Sequence, residues 1–211
     1  MIEDRVQFAL EKFLTPNYFS AQAVTYELME HDSLGKSILK LNVGTVDNLC
    51  RQNYDNPRPR FSFIRTDDSY GMDHCIDHFV LRKRDDYWEL HMIEMKTTLG
   101  LRTWEGIRRK MRASYLKIRA LAVFLGIELS DEHIFAYTTY ERADFSINQT
   151  LDPRIFLPSF GQRANKLGNT EWLENCIYLP ITEPKISVKL PHRGIQMRRN
   201  EEGYLEGECT L

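Results

Sequence analysis

Two carboxylates and an ammonium, Asp77, Glu94 and Lys96, stand in the stretch CIDHFVLRKRDDYWELHMIEMKTT, from Cys75 to Thr98. Aromatic and β-branched residues fill this stretch on either side of a polar turn, Arg84-Asp85-Asp86. The pattern predicts a β-hairpin. With Asp85-Asp86 as a two-residue loop, Arg84 pairs with Tyr87 and paired residue numbers sum to 171, which sets Asp77 opposite Glu94. Opposed side chains of an antiparallel pair share a face, with Cβ atoms about 4.5–5.5 Å apart. A three-residue loop would instead put the two acids on opposite faces. Lys96 shares the face of Glu94 by the two-residue alternation of a strand. Two neighbouring carboxylates repel unless a cation or a proton lies between them. With a lysine at the rim, the expected occupant is a hard divalent metal. The plainer alternative is a half-exposed sheet whose acids face solvent and pair with Lys96 or Arg82. Against it, Trp88, Leu90 and Met92 precede Glu94 on its face, so the acid ends an apolar stripe.

Around the hairpin, IEDRVQFALEKFL (2–14) has helical periodicity with Ile2, Val6, Ala9, Leu10 and Phe13 on one side, closed by Pro16. A second helix is expected over Ala21–Glu30, a short strand over Ser37–Val43, and a helix over Thr45–Tyr54 with Thr45 as N-cap. NPRPR (56–60) breaks the chain before a strand over Phe61–Thr66. The longest helix is expected over Trp104–Leu125, ended by Gly126. Its apolar residues Trp104, Ile107, Met111, Tyr115, Ile118, Ala122 and Leu125 form one stripe. Arg108, Arg112 and Arg119 flank one side of it; Lys110 and Lys117 flank the other. His133–Tyr140 and Cys176–Ile181 read as strands, 141–175 as loop-rich, and the acidic tail from Glu201 as frayed. The expected class is α/β: a single domain over 1–211, with a helical part (1–44), a core (about 45–140) and an extension (141–211).

With 27% charged and 42% hydrophobic residues in 211, the composition is that of a globular chain with one substantial core. No apolar run reaches the length of a membrane span, and MIEDRVQFAL lacks a signal-peptide layout. Cys50, Cys75, Cys176 and Cys209 show no CxxC spacing, which predicts a reduced, cytoplasmic compartment. The net charge of −2 conceals a segment, Arg102–Arg119, with seven basic residues and one acid. A local anionic partner is the expectation, with Arg102, Arg108, Lys110 and Arg112 as the contacts. Tyr70 and Trp104 are aromatic candidates for base stacking, but packing is the better expectation for both. Arg193, Arg198 and Arg199 form a second basic cluster, for which a flexible surface tail is expected ahead of a clamp. Zinc is not expected at His74, Cys75, His78 and His91. His74 and His78 would lie about 13 Å apart on a strand, and His91 would face Val80.

The order helix, strand (61–66), strand with Ile76-Asp77, strand with Ile93-Glu94-Met95-Lys96, long helix, strand (133–140) resembles the core of the PD-(D/E)xK nuclease superfamily, the restriction-endonuclease-like fold. Ile76 stands in place of the family's proline, and the resemblance covers about residues 45–140. It implies an αβββαβ core with a central mixed sheet flanked by helices. It also implies a nuclease that hydrolyses phosphodiesters with Mg²⁺ or Mn²⁺, on DNA more than on RNA. Asp77, Glu94 and the Met95 carbonyl would hold the metal, and Lys96 would act on the attacking water or the developing charge. In the family an early acid often completes a second metal position; Glu11, Glu27, Glu30 and Asp47 are the choices, with Asp73 a further acid near the motif. A homodimer would suit cutting both strands of a duplex. The rivals are a non-catalytic nucleic-acid-binding or assembly module on the same fold, and an RNA-directed nuclease of a defence or mobile-element system.

Overall fold

The structure, a computed structural model, describes residues 2–32, 35–59, 71–145, 168, 170–182 and 186–211. The strand expected at Phe61–Thr66, Tyr70 and most of the loop-rich 141–175 lie outside them. In chain order the elements are helix α1 (Asp4–Lys12) and strands β1 (Thr25–Asp32), β2 (Gly35–Asn42), β3 (Asn48–Arg51), β4 (His78–Lys83), β5 (Trp88–Met95) and β6 (Thr98–Gly100). Helix α2 (Leu101–Phe124) follows, then a 3₁₀ turn (Asp131–His133) and strands β7 (Ile134–Tyr140), β8 (Arg142–Asp144), β9 (Cys176–Thr182), β10 (Ile186–Gln196), β11 (Arg198–Arg199) and β12 (Leu205–Thr210).

The class is α/β with mixed sheets. Six strands form the central sheet in the order β3-β4-β5-β7-β10-β9, and four form a second sheet, β1-β2-β12-β11. The β4–β5 hairpin has the expected register: His78 pairs with Ile93, Val80 with His91 and Lys83 with Trp88. The Arg84 N–H donates to the Tyr87 carbonyl (2.8 Å), so Asp85-Asp86 is a two-residue loop. From β5 the chain crosses through β6 and α2 to β7, which pairs parallel to β5 with Glu94 beside Thr138.

Side-chain alternation on β4 and β5 separates two cores. Phe79, Leu81, Leu90 and Met92 face one way, into a cluster with α1 and the α2 stripe. All seven stripe residues expected on α2 are buried there. Gly126, with φ +75°, ends the helix in the left-handed conformation that costs glycine least. Val80, Ile93 and Met95 face the other way and meet Tyr26, Leu28, Leu39, Leu41 and Cys209 of the second sheet. The central sheet is therefore a middle layer, with helices on one face and strands on the other. Among the described residues no helix is long and apolar enough to cross a membrane.

The part expected to be helical over 1–44 holds one helix and the strands β1 and β2, and one face of the central sheet, expected to be flanked by helices, is covered by strands. Four expectations for single elements and residues are also corrected. Ala21–Glu30 is not a helix: Thr25–Asp32 is β1, antiparallel to β2, and buries Tyr26 and Leu28 while Glu27 and Met29 stay exposed. Thr45–Tyr54 is not a helix either. The Thr45 hydroxyl accepts from the Asp47 N–H in a tight turn, and Asn48–Arg51 pairs with β4 as an edge strand. The tail from Glu201 is not frayed, because Leu205–Thr210 pairs parallel with β2. Arg198 and Arg199 form a strand paired with it, and Arg199 grips Glu141 at 2.8 and 2.9 Å. Finally Phe13, expected on the buried side of α1, is exposed and packs edge-on against Phe8 and at a tilt against Phe124.

Candidate metal centre

Asp77 lies immediately before β4 and Glu94 next to the last residue of β5, one step beyond the His78–Ile93 pair. Both lie on the α2 side of the sheet, at the end of the stripe Trp88-Leu90-Met92. Asp77 is fixed through backbone and side chain alike. Its carbonyl accepts from the Tyr54 N–H (2.7 Å), and its Oδ2 accepts from the Met95 N–H (2.6 Å), extending the hairpin by one side-chain hydrogen bond. One residue earlier, the Ile76 N–H donates to the Ser114 hydroxyl of α2 (2.9 Å). Neither acid faces solvent: Asp77 is 1% and Glu94 0% exposed.

Two ammonium groups close the site from the solvent side. Lys96 Nζ lies 2.6 Å from Glu94 Oε1 and donates to the Met95 carbonyl (2.8 Å). Lys110 Nζ, reaching down from α2, lies 2.7 Å from Glu94 Oε1 and 3.2 Å from Asp77 Oδ1. Glu94 Oε2 is buried with no hydrogen-bond partner among the described residues. Burial pushes the Glu94 acid up, and the Asp77 charge pushes the same way, so that it reaches about 7 although both lysines pull it down. The two carboxylates hold the Lys110 ammonium above its ordinary value in spite of burial.

The donor set suits a hard divalent cation. The three oxygens expected as ligands, from Asp77, Glu94 and the Met95 carbonyl, are each contacted by a lysine nitrogen, a monovalent cation that stands where a metal would be attracted. The partnerless Glu94 Oε2 is a fourth oxygen ready to accept. Among the described residues no three His, Cys, Asp or Glu side chains gather as a metal group. A metal would thus rest on two carboxylates and a carbonyl, with water or substrate oxygens completing its shell, a pattern usual for Mg²⁺.

The remaining candidates are dispersed. Glu11 is exposed on α1 and accepts from Gln7, Glu27 points outward from β1, and Asp73 pairs with Arg58 at 3.4 Å. Asp47 lies in the β2–β3 turn, where its carbonyl accepts from Lys83. Glu30 is the early acid that approaches the site, from the end of β1. Burial, then the charges of Asp77 and Asp55, push it up to about 7, while Lys96 and Lys110 pull it down. Asp55, raised by burial and by Asp77, is a neighbour for which the sequence offered no signal.

The basic residues of α2 divide by flank. On one flank Lys110, Ser114 and Lys117 face the segment 74–77; Lys117 is buried, donating to the His74 carbonyl and to Cys75 Sγ. On the other flank Arg108 and Arg112 donate to the Tyr178 and Pro180 carbonyls of β9, with Arg108 also 3.4 Å from buried Glu171. Arg102 and Arg109 are exposed. Trp104 is buried, its indole N–H donating to Glu171. Arg82 pairs with Glu89 and not with the site acids. Two surface hollows, each of about 420 Å³, lie apart from the site, beside the C-terminal end of α2 and near the hairpin turn.

No family model, curated protein or solved structure matches the chain.

Proposed function

We propose that the chain is a divalent-metal-dependent nuclease acting on DNA, built on a restriction-endonuclease-like core. The observation that carries this reading is the convergence of Asp77 and Glu94, 0–1% exposed, on the Lys96 and Lys110 ammonium groups at one end of the sheet. The topology supports it: α1, β3, β4, β5, α2 and β7 follow the αβββαβ order, with three antiparallel strands and a helical crossover to a parallel fourth. In this reading β3 takes the place expected of a strand at 61–66, and β1 and β2 are an insertion ahead of it.

Asp77, Glu94 and the Met95 carbonyl would hold Mg²⁺ or Mn²⁺. The chemistry supplied by a divalent ion at such a position is Lewis acidity toward water and phosphate oxygen. The Lys96 side chain, 31% exposed at the rim, can offset charge that develops on the attacked phosphate. The Asp77–Met95 and Ile76–Ser114 hydrogen bonds keep the acids aligned without solvent rearrangement. Arg102 and Arg109, exposed on α2, would meet the backbone phosphates, making binding fall steeply with salt.

The test is cleavage of plasmid and single-stranded DNA with Mg²⁺ or Mn²⁺ by wild type, Asp77→Ala and Lys96→Ala. Cleavage by wild type alone is the expected result; equal activity in all three removes the assignment. An RNA arm distinguishes the RNA-directed alternative. One observation favours a second reading, the non-catalytic module: two ammonium groups already balance two carboxylates without a metal. A protein of that kind would give no heat of Mn²⁺ binding.

A further inference from the structure

We propose that Lys110 is a displaceable internal counter-ion: it occupies the cation position between Asp77 and Glu94 and must swing out for a divalent ion to enter. The proposal rests on the metal-site reading above and adds to it a competitor supplied by the chain itself.

Among the described residues Lys110 is the one side chain whose ammonium touches both site carboxylates, Glu94 Oε1 at 2.7 Å and Asp77 Oδ1 at 3.2 Å. Lys96 reaches only Glu94 of the two and is tied to the Met95 carbonyl on its own strand. Mg²⁺ needs its oxygens at about 2.0–2.1 Å in a nearly regular octahedron. An ammonium already bridging the two acids fills that space and repels the incoming charge, so the two cations exclude each other. Lys110 also has a way out. Its side chain is 25% exposed, comes from a different element than the acids, and has a flexible four-carbon stem. When it leaves, Asp77 stays, because it is held by Met95 and its flank by Ser114, and Glu94 keeps its contact with Lys96. Glu94 Oε2, which Lys110 leaves without a partner, is the oxygen a divalent ion would gain. Lys110 is thus a competing cation that sets the threshold for metal entry.

The experiment uses the full chain and Mn²⁺ alone. Calorimetry compares wild type, Lys110→Met and Asp77→Asn. Removing one unit of competing charge at contact distance should tighten Mn²⁺ binding about tenfold or more in Lys110→Met, while Asp77→Asn should weaken it. Should Lys110→Met not fold, wild type decides alone. Lysine acylation mapped by peptide mass spectrometry should then show Lys110 labelling rise several-fold on Mn²⁺ saturation, with exposed Lys40 unchanged as a control. Mn²⁺ binding that is equal or weaker in Lys110→Met, or wild-type binding without increased Lys110 labelling, overturns the proposal and leaves the metal site standing. No Mn²⁺ binding by either wild type or Lys110→Met overturns both.

Discussion

Replacing Glu94 by glutamine should stabilise the metal-free protein at alkaline pH, an uncommon outcome for a fully buried polar residue. In the fold the Glu94 acid is raised from its ordinary 4.5 to about 7, chiefly by burial. The folded form therefore holds this proton more tightly than the unfolded chain does. The resulting stability is fully present below pH 4.5, declines as pH rises toward 7, and is gone above it. A displacement of that size corresponds to about 3 kcal/mol. Glutamine mimics the protonated acid at every pH, and Lys110 and Lys96 keep Asp77 and the Met95 carbonyl as partners. The stability of Glu94→Gln relative to wild type should accordingly grow by about 3 kcal/mol between pH 4 and pH 8. Urea unfolding at both pH values, with EDTA present and the m-value checked for constancy, measures it. Glu30, also raised to about 7, contributes to both proteins and largely cancels in the difference. A difference that is flat with pH, or that shrinks as pH rises, would mean that Glu94 ionises freely in the fold, and the reasoning fails. On the metal-site proposal, saturating Mn²⁺ should reverse the order at pH 8, since only wild type would offer the second carboxylate.

On the opposite face of the hairpin, buried Glu89 accepts from Arg82 (2.6 Å) and lies 3.2 Å from His91 Nε2. Despite burial these partners, with Arg84, hold the acid down at about 2. Its contribution is therefore present above pH 4.5 and lost as pH falls toward 2. Glu89→Gln should cost about 3 kcal/mol at pH 7 and about half that or less at pH 3, by denaturant titration. Two glycines should respond with opposite sign in thermal melts. A Cβ at exposed Gly106 of α2 meets nothing within 4 Å, so Gly106→Ala should stabilise by about 0.5–1 kcal/mol. A Cβ at Gly194 of β10 would come within 2.6 Å of the Trp172 ring and 3.0 Å of Tyr140, so Gly194→Ala should destabilise by about 1–3 kcal/mol.

The parts of the fold legible in the sequence are those whose determinants are local. The two-residue Asp85-Asp86 loop fixes the hairpin register and so the alignment of Asp77 with Glu94. The three-and-four spacing of Trp104 through Leu125 fixes the buried side of α2. The missed elements depend on distant partners. TYELMEHD contains good helix formers, yet Tyr26 and Leu28 alternate with Glu27 and Met29, and β2 supplies the pairing that makes a strand of it. NLCR has too few residues to show any period, and only the edge of β4 gives it a structure. Leu205–Thr210 looks like an acidic tail because Glu206 and Glu208 occupy its exposed side, while Leu205 and Cys209 are buried. At the site, Asp77, Glu94 and Lys96 were legible through the hairpin. Lys110 is expected from the sequence as a contact to an anionic partner, on the flank of α2 shared with Lys117, and not as the partner of the two acids that it is in the fold. Which flank would face the acids depends on how α2 packs across the sheet, and no local spacing encodes that.

The parallel pairing of β12 with β2 dictates an order of assembly during synthesis. When residues 35–42 leave the ribosome, the neighbour for one edge of their strand has not yet been made, and their apolar side must wait for it. Until Leu205 and Cys209 arrive, Leu39 and Leu41 can cover the back of the β4–β5 hairpin only as part of a two-stranded ribbon. A nascent chain held at that stage would present an open strand edge, the feature most prone to self-association, so chaperone dependence should centre on this second sheet and spare the hairpin that carries the acids.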